Sequence, residues 1–247
     1  MKISYIMQSY LADDFVTGTK AAHMKFIRAV HSIQTQTYQD IELIIVADGC
    51  DITEYLYRKY FSTDPRIKLV YIDKEEGTLT NGKNYFRGLP RQIGRDHVTG
   101  KITAYLDADD VALPNHAKLL SQVWKSSIDR NSEVAFCINV AWYDNAAILN
   151  NKNGQGFDNL DITTEPFEIK GLQSEWVISK VKPGLISYNT NLISHRSHVK
   201  TKWQDTTNGN EDAIFGTKLL DEVGIKNTFK IQKPIYIRCK AYPIWDI

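Results

Sequence analysis

Glu42-Leu43-Ile44-Ile45-Val46-Ala47-Asp48-Gly49 is the stretch that decides how this chain folds. Its apolar run is rich in β-branched residues and stops abruptly at Asp48-Gly49, the pattern of a strand buried on both faces of a parallel sheet. Upstream, residues 3–7 read as a first strand. Residues 21–33 place Met24, Ile27, Val30 and Ile33 at intervals of three, one face of an amphipathic helix that ends at Gln34-Thr35-Gln36-Thr37-Tyr38. Downstream, the pattern predicts a helix over 52–61, a strand over 67–72, a helix over 81–93 and a strand over 102–106. Alternation of this kind predicts an α/β domain, with a mostly parallel central sheet flanked by helices and joined by right-handed crossovers.

Beyond Pro114 a helix is predicted to about Ser127, then a strand over 134–140. The rhythm changes at 144–175, where Asn, Asp, Gly and Thr dominate and the composition suits a substrate-facing excursion or lid. Short strands and a helix over 212–223 follow. The chain divides into residues 1–140 and a C-terminal region, 141–247, within one continuous domain.

The composition narrows the function classes. The chain has 247 residues, with 30 Lys+Arg against 29 Asp+Glu, a net charge of +1 and 43% hydrophobic residues. That balance is ordinary for a globular protein and argues against a constitutive polyanion binder. Cys50, Cys137 and Cys239 are odd in number and lack metal-ligand spacing, which fits buried thiols in a reducing compartment. The longest clear apolar run, Leu43-Ile44-Ile45-Val46-Ala47, is far short of the ~18–20 residues of a membrane span, and the N-terminus is too polar for a signal segment. A cytoplasmic protein is expected.

Open α/β sheets bind ligands outside the carboxyl ends of their strands, and two predicted strands end in acid there. Asp48 follows the first; it either faces a ligand or caps the next helix. Asp107-Ala108-Asp109-Asp110 follows the strand at 102–106. Three carboxylates in four residues repel one another, and a hard divalent cation with oxygen ligands is the usual relief, a solvated turn being the alternative. In an extended segment Asp107 and Asp109 point to the same side while Asp110 points away.

The run from Ala29 through Gln34-Thr35-Gln36-Thr37-Tyr38 to Val46-Ala47-Asp48-Gly49, then Leu106-Asp107-Ala108-Asp109-Asp110, then Gly209-Asn210-Glu211-Asp212, resembles in order and spacing the three motifs of family-2 glycosyltransferases over about residues 3–220. The likeness is to small bacterial or phage-type members. It implies a GT-A (Rossmann-like) fold, a nucleotide-diphosphate sugar donor, most often UDP-linked, and a divalent metal, Mn2+ or Mg2+. Residues 1–140 then form the donor half and 141–247 the acceptor half.

Carried over position by position, Asp48 binds the nucleobase and Ser9 and Tyr10 wrap it. Met7-Gln8-Ser9-Tyr10 departs from the family's usual wording at that loop. Asp107 contacts the ribose side of the donor or the metal shell, Asp109 ligates the metal, and Lys83 stands near the donor, with a solvated surface position as its alternative. Asp212 is the expected catalytic base and Glu211 its orienting partner or an acceptor contact. Such a base on the acceptor side implies direct displacement with inversion. The plain alternative for Glu211-Asp212 is that acids in a helix's first turn complement its dipole.

The near-neutral total hides an asymmetry. Residues 170–247 carry 12 Lys+Arg and 7 Asp+Glu, 12 − 7 = +5, and residues 1–169 carry 18 and 22, 18 − 22 = −4. The basic excess is densest at His195-Arg196-Ser197-His198-Val199-Lys200-Thr201-Lys202-Trp203. His195, Arg196, Lys200 and Trp203 are therefore candidates for acceptor binding, the alternative being a solvated face with satisfied histidines. The acceptor is expected to be a glycan or lipid-linked sugar, with a hydroxymethylated base in phage DNA as a second possibility. Two further readings stand beside transfer of a hexosyl or pentosyl group: a phosphatase using Asp107, and a non-catalytic nucleotide-sugar-binding module.

Overall fold

The computed structural model describes residues 1–11, 20–73, 88–128, 134–137, 141–143, 193–206, 210–224, 227–231 and 236–239. Lys83 and the 144–175 excursion lie outside them. The order is β1 (Ile3–Ser9), α1 (Lys20–Gln34), β2 (Ile41–Asp48), α2 (Asp51–Tyr60), β3 (Ile67–Ile72), α3 (Gly88–Asp96) and β4 (Ile102–Tyr105). Then come β5 (Val111–Ala112), α4 (His116–Ile128), β6 (Val134–Cys137), β7 (Ala141–Tyr143), β8 (Ile193–Arg196), α5 (Glu211–Val223), β9 (Thr228–Ile231) and β10 (Tyr236–Cys239).

Seven strands form the main sheet in the order β3-β2-β1-β4-β8-β6-β9. The first four run parallel, as the sequence rhythm predicts. Pairing then turns antiparallel at β4–β8 and β8–β6 and parallel again at β6–β9, so the sheet is mixed. A small sheet, β5-β10-β7, ties the segment just after the acidic cluster to a C-terminal strand.

The period-two pattern sends β1 and β2 side chains to two different layers. Ile3, Tyr5, Met7, Leu43 and Ile45 pack on one face with Phe26, Val30 and Ile33 of α1 and Leu120 and Trp124 of α4. On the other face, Ile6 and Tyr105 join Trp203, Phe215 and Leu219 of the C-terminal region. Helix α3 lies against this second face at Gly94, where a Cβ would come within 2.5 Å of Ile6 Cγ2. Burying each such Leu, Ile or Phe contributes about 1.5–3 kcal/mol, so both faces draw their stability from the alternating pattern.

Register sets the site. Ser9 pairs with Ala47, and Ile6 pairs with Ile44 on one side and Tyr105 on the other, so Ser9, Asp48 and Asp107 emerge at one edge of the sheet. At the opposite edge Glu42 is buried (1% exposed) among hydrogen bonds from Ser4 Oγ (2.6 Å), the Thr99 backbone N–H (2.6 Å) and Lys68 Nζ (2.9 Å), with an ion pair to Lys2. Desolvation alone would raise this carboxyl, but the hydrogen bonds from Ser4, Lys68, Thr99 and Lys2 outweigh it and bring its pKa down to about 2. Glu42 thus ties the starts of β1, β2 and β3 to the turn before β4.

Glu42→Gln is expected to cost on the order of 2–3 kcal/mol at pH 7, read by urea denaturation. Because the folded pKa lies below the free value of 4.5, this stabilisation is complete above pH 4.5 and is lost as pH falls through about 2. The gap between variant and parent should therefore narrow below pH 4.5.

Candidate active site

Three elements fix the acidic turn that follows β4. Buried Arg28 of α1 donates from Nη2 to the Asp109 carbonyl (2.7 Å), and the Asp110 N–H closes on the Asp107 carbonyl (3.1 Å). The Gln34-Thr35-Gln36-Thr37-Tyr38 segment grips the chain just beyond. Gln36, buried, donates to the Leu113 carbonyl (2.7 Å) and accepts from the Ala117 N–H (2.8 Å), while the Thr37 N–H donates to the Pro114 carbonyl (2.9 Å). Ser32 Oγ accepts from the Ala112 N–H (3.1 Å). This stretch of sequence therefore acts as a clamp behind the acidic turn.

One ligand oxygen each from Asp107, Asp109 and Asp110 lies within 4.8 Å of the others; Asp109 is exposed, Asp107 half-buried and Asp110 buried. Clustered hard oxygen donors at that spacing fit a divalent cation of the magnesium or manganese kind. The strictly alternating geometry expected of the run does not apply, because residues 108–109 form a turn rather than extended chain.

The structure brings Glu211-Asp212 to the same place. Both sit in the first turn of α5, with Glu211 buried and Asp212 half-buried. Between the two acidic motifs stands Arg91 of α3, buried at 5% exposure. Its Nη2 donates to Asp107 Oδ1 at 3.2 Å and its Nη1 to Glu211 Oε1 at 3.2 Å, with Asp212 Oδ1 at 3.7 Å from Nη1. Burial works against the guanidinium charge, but Asp107, Asp212 and Glu211 outweigh it and hold Arg91 firmly protonated. Sequence reasoning passed over Arg91. The one available signal is a cation on the face of a short helix that must pack on the sheet.

The remaining candidates divide. Asp48 ends β2 half-buried, and Gly49 follows it in a left-handed conformation (φ 56°) with its N–H bonded to the Ile72 carbonyl. Tyr10 is exposed at the same sheet edge, whereas the Ser9 hydroxyl is buried against Thr53 Oγ1 of α2 (2.8 Å), so its contact is with the fold. Lys200 is exposed and Arg196 lies over the Trp124 ring.

His195 and Trp203 require a correction: neither belongs to a basic outer face. His195 is 0% exposed and Trp203 is 4% exposed. The Trp203 indole N–H donates to the Tyr105 hydroxyl (2.9 Å), which meets His195 Nε2 at 2.8 Å, while Nδ1 meets the Arg196 carbonyl (2.8 Å). A carbonyl only accepts, so Nδ1 carries the proton, Nε2 accepts from Tyr105, and the chain of three is satisfied with a neutral imidazole. Desolvation, with Arg95 nearby, brings His195 down to about 3, and burial raises Tyr105 to about 12. A run of polar letters hid two residues that belong to the second core layer.

The segment carrying Trp203 is bound to α3 along its length. Asp205 Oδ1 accepts from the Gly88 and Leu89 N–H groups (3.0 and 2.8 Å), capping the helix, and Gln92 accepts from the Trp203 N–H (3.1 Å). Arg95 donates to the Val199 carbonyl (2.8 Å) and to the Thr201 carbonyl. Gly88 is required there, since a Cβ would lie 2.2 Å from the Gln204 carbonyl oxygen.

Comparison with known proteins follows the same lines. Residues 25–140 match the family described as Glycosyl transferase family 2. An uncharacterized glycosyltransferase of Nostoc sp. is 27% identical over 51% of this chain and 34% of its own, and the bifunctional glycosyltransferase pgtA of Dictyostelium discoideum is 35% identical over 39% and 12%. The chain thus spans about a third or less of these relatives. In fold, S. aureus TarS 1–349 superposes with a TM-score of 0.61 at 15% identity, covering 97% of this chain and 60% of that one. Glucosyl-3-phosphoglycerate synthase of Mycobacterium tuberculosis, solved with Mn2+, UDP and glucosyl-3-phosphoglycerate, gives 0.56 at 11%, covering 99% and 74%. The fold is that of GT-A glycosyltransferases, and the sequence resemblance is to family 2.

His195 is expected to stay neutral from pH 8 to pH 5, seen as a ring-proton NMR shift that does not titrate. Its folded pKa lies below the unfolded value of 6.5, so the unfolded chain takes up the proton first and this group lowers stability as pH falls from 6.5 toward 3. His195→Gln should remove that part of the pH dependence.

Proposed function

We propose that this family-2-like chain on a GT-A sheet is a metal-dependent inverting glycosyltransferase, moving a sugar from a UDP-linked donor to a hydroxyl acceptor. One observation carries the reading: Arg91 holds the strand-end acid Asp107 and the helix-start acids Glu211 and Asp212 around a single guanidinium. Two chemistries that the reaction needs, charge neutralisation at a leaving diphosphate and proton removal from an acceptor, therefore have their residues a few ångströms apart. Relatives in fold support the donor: TarS has been solved with UDP and with UDP-GlcNAc, and the mycobacterial synthase with UDP and Mn2+.

In this reading Asp48 and Tyr10 receive the nucleobase at the ends of β2 and β1, and Lys83, outside the described residues, is a further donor contact that the family resemblance implies. Asp109 and Asp107 would hold the cation, while the N–H of buried Asp110 closes the turn on the Asp107 carbonyl. When bound, a divalent ion supplies Lewis-acid stabilisation of the charge that develops on the diphosphate. Asp212, half-exposed at the mouth of α5, takes the proton from the attacking hydroxyl, a contribution of roughly 10²–10⁴-fold. A single displacement by a base-activated hydroxyl inverts the anomeric centre. Glu211, behind it, orients.

For the acceptor we favour a sugar hydroxyl of a glycan or lipid-linked saccharide. The DNA alternative drew on a basic, aromatic face, and with His195 and Trp203 in the interior that face retains exposed Lys200 and Lys202 and the half-buried Arg196.

UDP with Mn2+ is expected to raise the melting temperature, and Asp109→Ala to abolish the rise; no response to any of UDP, GDP, TDP or CDP would overturn the donor assignment. Asp212→Asn should lower sugar transfer by at least 10²-fold while leaving the UDP-Mn2+ shift in place. Tight, salt-sensitive binding to duplex DNA would move the acceptor assignment to nucleic acid.

A further inference from the structure

We infer that Arg91, backed by Trp203, is a positioning residue that sets where the pair Glu211-Asp212 stands relative to the donor site, so that the acceptor side is aligned through this guanidinium. The inference rests on the glycosyltransferase reading and goes past it, because nothing in the three acidic motifs requires a cation between them.

The geometry has three parts. First, the fork is shared: Nη2 serves Asp107 and Nη1 serves Glu211 and Asp212, so the two arms span both motifs. A planar guanidinium can hold carboxylates on two sides at once, whereas an ammonium is a single point charge. Second, Glu211 depends on it. Glu211 is 2% exposed, and its Oε2 has no hydrogen-bond partner among the described residues, which leaves the Oε1 contact with Arg91 to orient the carboxylate. Third, Arg91 is itself held from behind. Its guanidinium carbon lies 5.0 Å from the Trp203 ring centroid, and Trp203 stacks on Phe215 of α5 at 4.0 Å and 6°. The Tyr105–His195 hydrogen bonds fix the indole in turn. The ring layer behind it, made by Trp203, Phe215, Tyr105 and neutral His195, supplies no acid of its own.

The two arms act separately: Nη1 keeps Glu211 at 3.2 Å and Asp212 at 3.7 Å whether or not Asp107 leaves Nη2 for a cation.

The test is a double-mutant cycle on the whole chain, with Arg91→Lys and Glu211→Gln singly and together, assayed for transfer and for the melting shift with UDP and Mn2+. Arg91→Lys is expected to lower kcat by roughly 10²-fold, the scale of a misplacement of about 1 Å, with donor KM and the UDP-Mn2+ shift unchanged. The double variant should be no slower than the slower single one, as for residues acting through one another. Losses that multiply would overturn the inference, as would a raised donor KM at unchanged kcat, which would make Arg91 a direct donor contact. If Arg91→Lys fails to fold, Trp203→Phe crossed with Glu211→Gln carries the same comparison, with non-multiplying losses expected and multiplying losses overturning it. A parent protein that turns over no sugar donor removes the glycosyltransferase reading itself and this inference with it, whereas an active parent with multiplying losses removes this inference alone.

Discussion

A buried guanidinium keeps its charge and is costly to desolvate, so it is tolerated where acids surround it. Arg91 meets that condition with Asp107 on one side and Glu211 and Asp212 on the other, and the surrounding structure answers to it. Helix α3 must lie close enough to the sheet to deliver the side chain, which Gly94 permits by admitting Ile6. Helix α5 must begin within reach, which Phe215 arranges by stacking on Trp203. The end of β4 must be stiff, which Arg28 and Gln36 secure from below.

Much of the fold was legible because strands buried on both faces leave a plain signature. The apolar run through Ile44-Ile45-Val46 and the intervals of three from Met24 to Ile33 coincide with β2 and α1 to within a residue or so at most ends. The switch from parallel to antiparallel pairing at β8 was not legible, since Ile193–Arg196 is four residues long and its partners are distant in sequence. Local pattern reports which way side chains alternate and is silent on which neighbour a short strand finds.

For the site, acids at strand ends and a helix start were readable because they stand in the order and spacing of the family-2 motifs. Residues that hold them were not. Gln36 and Glu42 sit inside recognisable motifs yet serve the fold, one clamping the loop after the acidic turn and the other bonding strand starts. His195 and Trp203 lie among Lys and Arg letters, so their neighbours suggested a surface, while alternation along β8 and the stacking of Trp203 on Phe215 turned both inward. Charge density along a sequence is a poor guide to burial when a strand or an extended tie carries it.

The cap that Asp205 places on α3 joins residues 117 positions apart. Together with β8 inserted between β4 and β6, it means that α3 closes its first turn with a group supplied from beyond residue 140. Residues on either side of position 140 are thus interlocked, and a cut there would break both the sheet and the cap. Contacts of such long range mean that the first turn of α3 is capped only once residue 205 is in place. The guanidinium that this helix carries to the acids therefore depends for its placement on chain more than a hundred residues away.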